Sequence, residues 1–143
     1  MNSMKKIPSQ NEVLQIIDAN LNRAREGLRI VEEVTRFVLK DEKLTKEIKD
    51  ERHKLGTLFA NSELIRFRDA SKDLGRYGDF DDSSHKDLRE TVQRNFRRAQ
   101  EGCRVIEEFS KLFSEEIPPI IKEIRFKTYE LEKKVSEALN ARS

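Results

Sequence analysis

Apolar residues recur along the first third of the chain at Val13, Ile16, Ile17, Leu21, Ala24, Leu28, Val31, Val34 and Val38, with polar residues between them. Steps of three and four mark one face of a helix, and here they continue for many turns. Ser9 and Glu12 stand at capping-box spacing just ahead of the stripe, so the helix is predicted to begin after Ser9. Leu44, Ile48, Leu55, Leu58 and Phe59 form a second stripe, with Asp41 as its N-cap. From about Arg66 to Ser84 the periodicity stops, and the stretch RFRDASKDLGRYGDFDDSS carries Gly75, Gly78 and many charges instead. A connection of that length inside a compact domain is more often functional or disordered than a plain turn. Ser84 and Asp87 offer the next cap, for a third helix running to about Phe113. Pro118 and Pro119 fall where a fourth helix would begin, a place that tolerates proline, and that helix is predicted to reach about Ala141.

The pattern repeats. NLNRAREGLRIVEE from Asn20 and NFRRAQEGCRVIEE from Asn95 are offset by 75 and share eight of fourteen residues; four further pairs exchange one apolar residue for another. IKDERHKLGTL from Ile48 matches IKEIRFKTYEL from Ile121 at an offset of 73, keeping Arg52 opposite Arg125. Two copies of a helical hairpin predict an all-α fold, a four-helix bundle with approximate two-fold symmetry. The expected layout is one domain over residues 1–143, with repeat 1 at about 10–62, a central loop at about 66–84 and repeat 2 at about 85–141.

Each copy places a glycine inside the apolar arc, Gly27 beside Ala24 and Val31, Gly102 beside Ala99 and Ile106. Glycine costs roughly 1 kcal/mol against alanine in a helix interior. Bearing that cost twice at matching positions points to a side chain that must be absent, for close helix approach or for room around a ligand. Asn20 and Arg23 share the arc with Gly27, and Asn95 with Arg98 repeat them. Inward polar groups must be paired or wet. They form either a symmetric cluster that sets helix register or an anion-binding cleft with one arginine from each hairpin. Glu26, Arg29, Glu32 and Glu33 fall on the other side, where their spacing suits surface ion pairs.

Charged residues make up 39% of the chain, yet the net charge is only +2. That balance argues against binding nucleic acid through bulk positive charge, and the absence of Trp argues against a base-stacking platform. One cysteine, Cys103, cannot close an internal disulfide, which suggests a reducing compartment. No apolar run approaches membrane-spanning length and Met1–Pro8 lacks a signal-peptide core, so a cytoplasmic setting is expected. Neither a Walker loop nor GxGxxG occurs. His53 and His85 lack metal-ligand spacing, and Cys103 aligns with Leu28 as a packed thiol. The loop segment holds Arg68, Asp69, Lys72 and Asp73, either a solvated linker or a lid with arginine for phosphate and carboxylates for magnesium.

DANLNRAREGLRIVEE with Arg36 and Phe37, KDERHKL, RDASKDLG, NFRRAQEGCRVIEEFSK and KEIRFKTYELEK span nearly the whole chain. In these pieces the sequence resembles the all-helical hydroxymethylpyrimidine-phosphate kinases of thiamine biosynthesis, a domain often fused ahead of thiamine-phosphate synthase. The resemblance implies transfer of the ATP γ-phosphoryl group to 4-amino-5-hydroxymethyl-2-methylpyrimidine phosphate, in the stand-alone form of the domain. For such a transfer, polarity and repetition select Arg23, Arg98 and Arg68 as catalytic charge-stabilising groups. Arg52 and Arg125 are selected for substrate binding, Asn20 and Asn95 for binding the aminopyrimidine edge or tying down the arginines, and Asp69 and Asp73 for holding Mg²⁺ or orienting a lysine. The partners expected are a pyrimidine phosphate and a nucleotide, with a homodimer of the chain as a further expectation. The alternative is a non-catalytic helical module that dimerises with or regulates a thiamine-phosphate synthase.

Overall fold

A computed structural model describes residues 9–59 and 87–142. The expected loop at about 66–84, with Arg68, Asp69 and Asp73, lies outside them, as do Ser84 and His85. The described residues form four helices and no strand: α1 (Gln10–Phe37), α2 (Glu42–Thr57), α3 (Leu88–Ser110) and α4 (Ile117–Arg142). The fold is all-α.

Each helix begins where a side chain accepts from its first backbone N–H groups. Ser9 Oγ accepts from Glu12 N at 3.1 Å while Glu12 Oε1 accepts from Ser9 N at 3.1 Å, the reciprocal capping box expected from the sequence. Asp41 accepts from Leu44 N at 3.0 Å and Asp87 from Glu90 N at 2.9 Å. Ser114 accepts from Ile117 N at 3.1 Å as α4 opens, and Pro118 and Pro119 occupy its first turn, where N–H groups have no intrahelical partner. Between α1 and α2 the chain turns within a few residues. Lys40 adopts a left-handed φ of 52°, and Asp41 N donates to Thr35 O at 3.0 Å.

α1 packs against α2 and α3, and α4 packs against α3 and α2, closing a four-helix cycle. The core draws on all four: Ile17, Leu21 and Leu28 of α1, Ile48 and Leu55 of α2, Phe96 and Ile106 of α3, and Ile121 and Leu131 of α4 are fully buried. Ile16, Val38 and Leu58, expected on the buried stripes, are only partly covered.

The α1–α3 crossing answers the question of the paired glycines. A Cβ built on Gly27 would stand 2.5 Å from the Asn95 carbonyl oxygen, and one on Gly102 would stand 2.9 Å from the Asn20 carbonyl oxygen. Neither glycine has positive φ, so space and not backbone freedom is the reason for it. The contact is reciprocal and antiparallel: the glycine of each helix seats the backbone of the other helix's asparagine.

Candidate functional site

Asn20 and Asn95 are both buried at this crossing. Each anchors its amide on the preceding turn: Asn20 Nδ2 donates to Ile16 O at 2.8 Å, and Asn95 Nδ2 donates to Thr91 O at 2.8 Å. These bonds fix both amides, because a flipped amide would set its oxygen against a carbonyl. Arg23 and Arg98, three residues further along, fall at the middle of the crossing, since residues 20–27 of α1 run against 95–102 of α3. Arg23 Nη1 donates to Asn20 Oδ1 at 3.1 Å. Arg98 Nη2 reaches across to Glu26 Oε2 of α1 at 3.9 Å, and both arginines keep partial exposure. The sequence-selected residues Asn20, Arg23, Asn95 and Arg98 are therefore brought together on one helix pair.

Arg52 and Arg125 do not join them. Arg52 Nε donates to Glu32 Oε1 at 2.8 Å, within the first hairpin. Arg125 donates through Nη2 and Nε to Glu107 Oε1 at 3.1 and 3.3 Å, within the second. The two carboxylates are repeat equivalents, and so are the further arginines on them: Arg29 Nη1 lies 3.5 Å from Glu32, and Arg104 Nη1 lies 2.6 Å from Glu107. Arg36 Nη2 adds a 2.7 Å contact to Glu32. Thr35 and Ser110, again equivalent, donate to the Glu32 and Glu107 carbonyls at 2.9 and 3.2 Å.

Glu32 was expected on the surface and is instead fully buried. It lies at the edge of the apolar arc, where α2 closes over α1 and supplies Arg52. Burial works to raise its pKa. The Arg52 hydrogen bond and the charges of Arg52, Arg29 and Arg36 outweigh that and hold the carboxyl below the usual range. The sequence did carry a signal for this pairing: both copies keep the glutamate and both keep the arginine of the second helix.

Cys103 is fully buried, as its alignment with Leu28 implied, and burial pushes its thiol up to about 12, far from a nucleophile's range. Among the described residues no group of three or more His, Cys, Asp or Glu side chains could hold a metal ion. The two carboxylates selected for Mg²⁺, Asp69 and Asp73, lie outside them. Hollows of about 480 Å³ beside Glu47, His53 and Lys127, and about 610 Å³ beside Arg36, Lys40 and Lys49, open on other faces of the bundle. No described helix is long and apolar enough to cross a membrane.

The ThiD2 family matches residues 15–134, which reaches into all four helices and includes both asparagine–arginine pairs. The chain belongs to the ThiD2 family. Similar proteins include the thiamine-phosphate synthases of Synechocystis sp., 38% identical over 125 residues, and of Nostoc punctiforme, 40% identical over 124. That of Rhodopirellula baltica is 39% identical over 139 residues. The alignments cover 87%, 86% and 92% of this ThiD2 chain but only 36%, 35% and 37% of those relatives. The chain thus spans about a third of the length of the curated relatives it matches. No solved structure matches it.

Proposed function

We propose that this chain is a small-molecule kinase of thiamine biosynthesis that transfers the γ-phosphoryl group of ATP to 4-amino-5-hydroxymethyl-2-methylpyrimidine phosphate. One observation carries the reading: two repeat-equivalent asparagine–arginine pairs lie on the α1–α3 crossing, where each helix's glycine seats the backbone of the other helix's asparagine. Membership of the ThiD2 family, with relatives named thiamine-phosphate synthase, supplies the pathway.

The chemistry suits arginine. The acceptor is a phosphate monoester, ionised at neutral pH, so its oxygen attacks the γ-phosphorus without a strong general base. The bond to the β-phosphate oxygen breaks as the new one forms, and ADP leaves. The barrier is one of bringing anions together and stabilising the transferring phosphoryl group. Arg23 and Arg98 at the crossing supply planar, permanently charged forks for phosphate oxygens. Asn20 holds the Arg23 guanidinium in place. In this proposal Arg68 adds a third positive group, and Asp69 and Asp73 hold the Mg²⁺ that accompanies ATP. Arg52 and Arg125 act by fixing the hairpins and not by touching substrate, because both are engaged by buried carboxylates. A cytoplasmic setting and a homodimer belong to the same proposal.

The test is an assay of the purified chain for the pyrimidine diphosphate and ADP, run on wild type, Arg23→Ala and Arg98→Ala. Equal formation of both products by wild type is expected, with at least a hundredfold loss in each variant at unchanged helicity. Full turnover in either variant excludes that arginine from the site; no diphosphate from wild type sinks the kinase reading.

A further inference from the structure

The two halves of the crossing match in sequence but not in hydrogen bonding. Asn20 Oδ1 accepts from Arg23 Nη1 at 3.1 Å. Asn95 Oδ1, its repeat equivalent, is buried and has no hydrogen-bond partner among the described residues. The whole Asn95 residue is 4% exposed. Its orientation is determined, since Nδ2 donates to Thr91 O at 2.8 Å and the reverse placement would oppose two acceptors. Arg98, three residues on, stands where Arg23 stands in the other copy, yet its Nη2 reaches Glu26 on the facing helix. A buried acceptor without a donor bears the full loss of its hydration, and such groups in folded chains call for an explanation. Packing alone does not supply one, because the same asparagine in the first copy finds a donor.

We infer that Asn95 is the specificity residue of the site, its Oδ1 accepting from an N–H donor on the ligand's heterocycle. In the proposed substrate that donor is the exocyclic amine of the aminopyrimidine. This inference rests on the kinase reading above and divides the pseudo-symmetric crossing into two tasks. The Asn20–Arg23 half is internally satisfied and presents charge, which suits phosphate. The Asn95 half holds a buried, unpaired acceptor three residues from Arg98 along α3, which suits a neutral N–H next to an anionic group. A flat ring carrying both an amine and a phosphate is complementary to that division, and a symmetric dianion is not. A site built around a hydrogen bond also rejects analogues lacking the donor, because the acceptor stays buried and unpaired.

Isothermal titration of the full chain with the aminopyrimidine phosphate and with its analogue bearing hydrogen in place of the amine tests this. Wild type is expected to prefer the amine on the order of 100-fold. Asn95→Ala reduces the preference to below about tenfold, mainly by weakening the amine. Asn20→Ala weakens both ligands by a similar factor and keeps the preference. Should Asn95→Ala fail to fold, Asn95→Ser, whose hydroxyl still bonds to the preceding turn, takes its place with the same expected loss. An unchanged preference in the Asn95 variant, or equal wild-type affinity for the two ligands, overturns the assignment and leaves the kinase reading standing. Wild-type binding of neither ligand removes the kinase reading, and this inference with it.

Discussion

Gly27 and Gly56 both lie within helices, yet an added methyl group meets opposite surroundings at the two. At Gly27 it would press on the Asn95 carbonyl oxygen at 2.5 Å, backbone that moves only if the helices part. At Gly56 it would touch only the Arg25 side chain at 3.5 Å, ordinary contact. Gly27→Ala is therefore expected to lower stability by about 1–3 kcal/mol through overpacking. Gly56→Ala is expected to raise it by up to about 1 kcal/mol through helix propensity. Urea unfolding followed by circular dichroism separates the two signs. Cys103 gives a second check at this scale. Buried and pushed up to about 12, its thiol should resist alkylation at pH 8 in the native chain and react at a rate set by unfolding. Prompt labelling without urea would contradict its burial.

Within each hairpin, the partner helices are tied by one buried carboxylate and the arginines around it. Removing one member of such a set leaves a buried charge uncompensated, so Glu32→Ala is expected to cost about 3–5 kcal/mol. Because the Glu32 carboxyl is held below its ordinary value when folded, its contribution is fully present above the unfolded-state pKa. It is lost as pH falls through the lower folded value. Stability curves of wild type and Glu32→Gln should therefore begin to converge as pH falls through the ordinary glutamate range and meet only below the lower folded value; a gap that persists into strong acid would show that the charge is not what matters. The helices themselves were legible in the sequence, since apolar spacing and the Ser9, Asp41 and Asp87 caps are local signals. Glu32 was not, because its burial depends on which helix closes over the edge of the arc, a tertiary fact that periodicity does not hold. Asn20 and Asn95 were legible because the repeat showed them twice, whereas the difference in their hydrogen bonding was hidden by that same likeness. For the glycines the sequence left two readings, and only the distance to the facing backbone decides between them.

Across the whole molecule, the α1–α3 crossing joins the two repeats in the manner of an isologous contact, each offering the other the same glycine and the same asparagine. A surface that complements its own copy has no need of a covalent tether to find its mate. Co-expressed halves, cut between the two hairpins, are expected to reassociate into a helical heterodimer detectable by size exclusion, and each half alone to pair with itself more weakly. The repeated sequence would then hold, within one chain, a contact that two separate hairpins can make. Only after joining could one half give up the symmetry and turn its unmatched amide to telling one molecule from another.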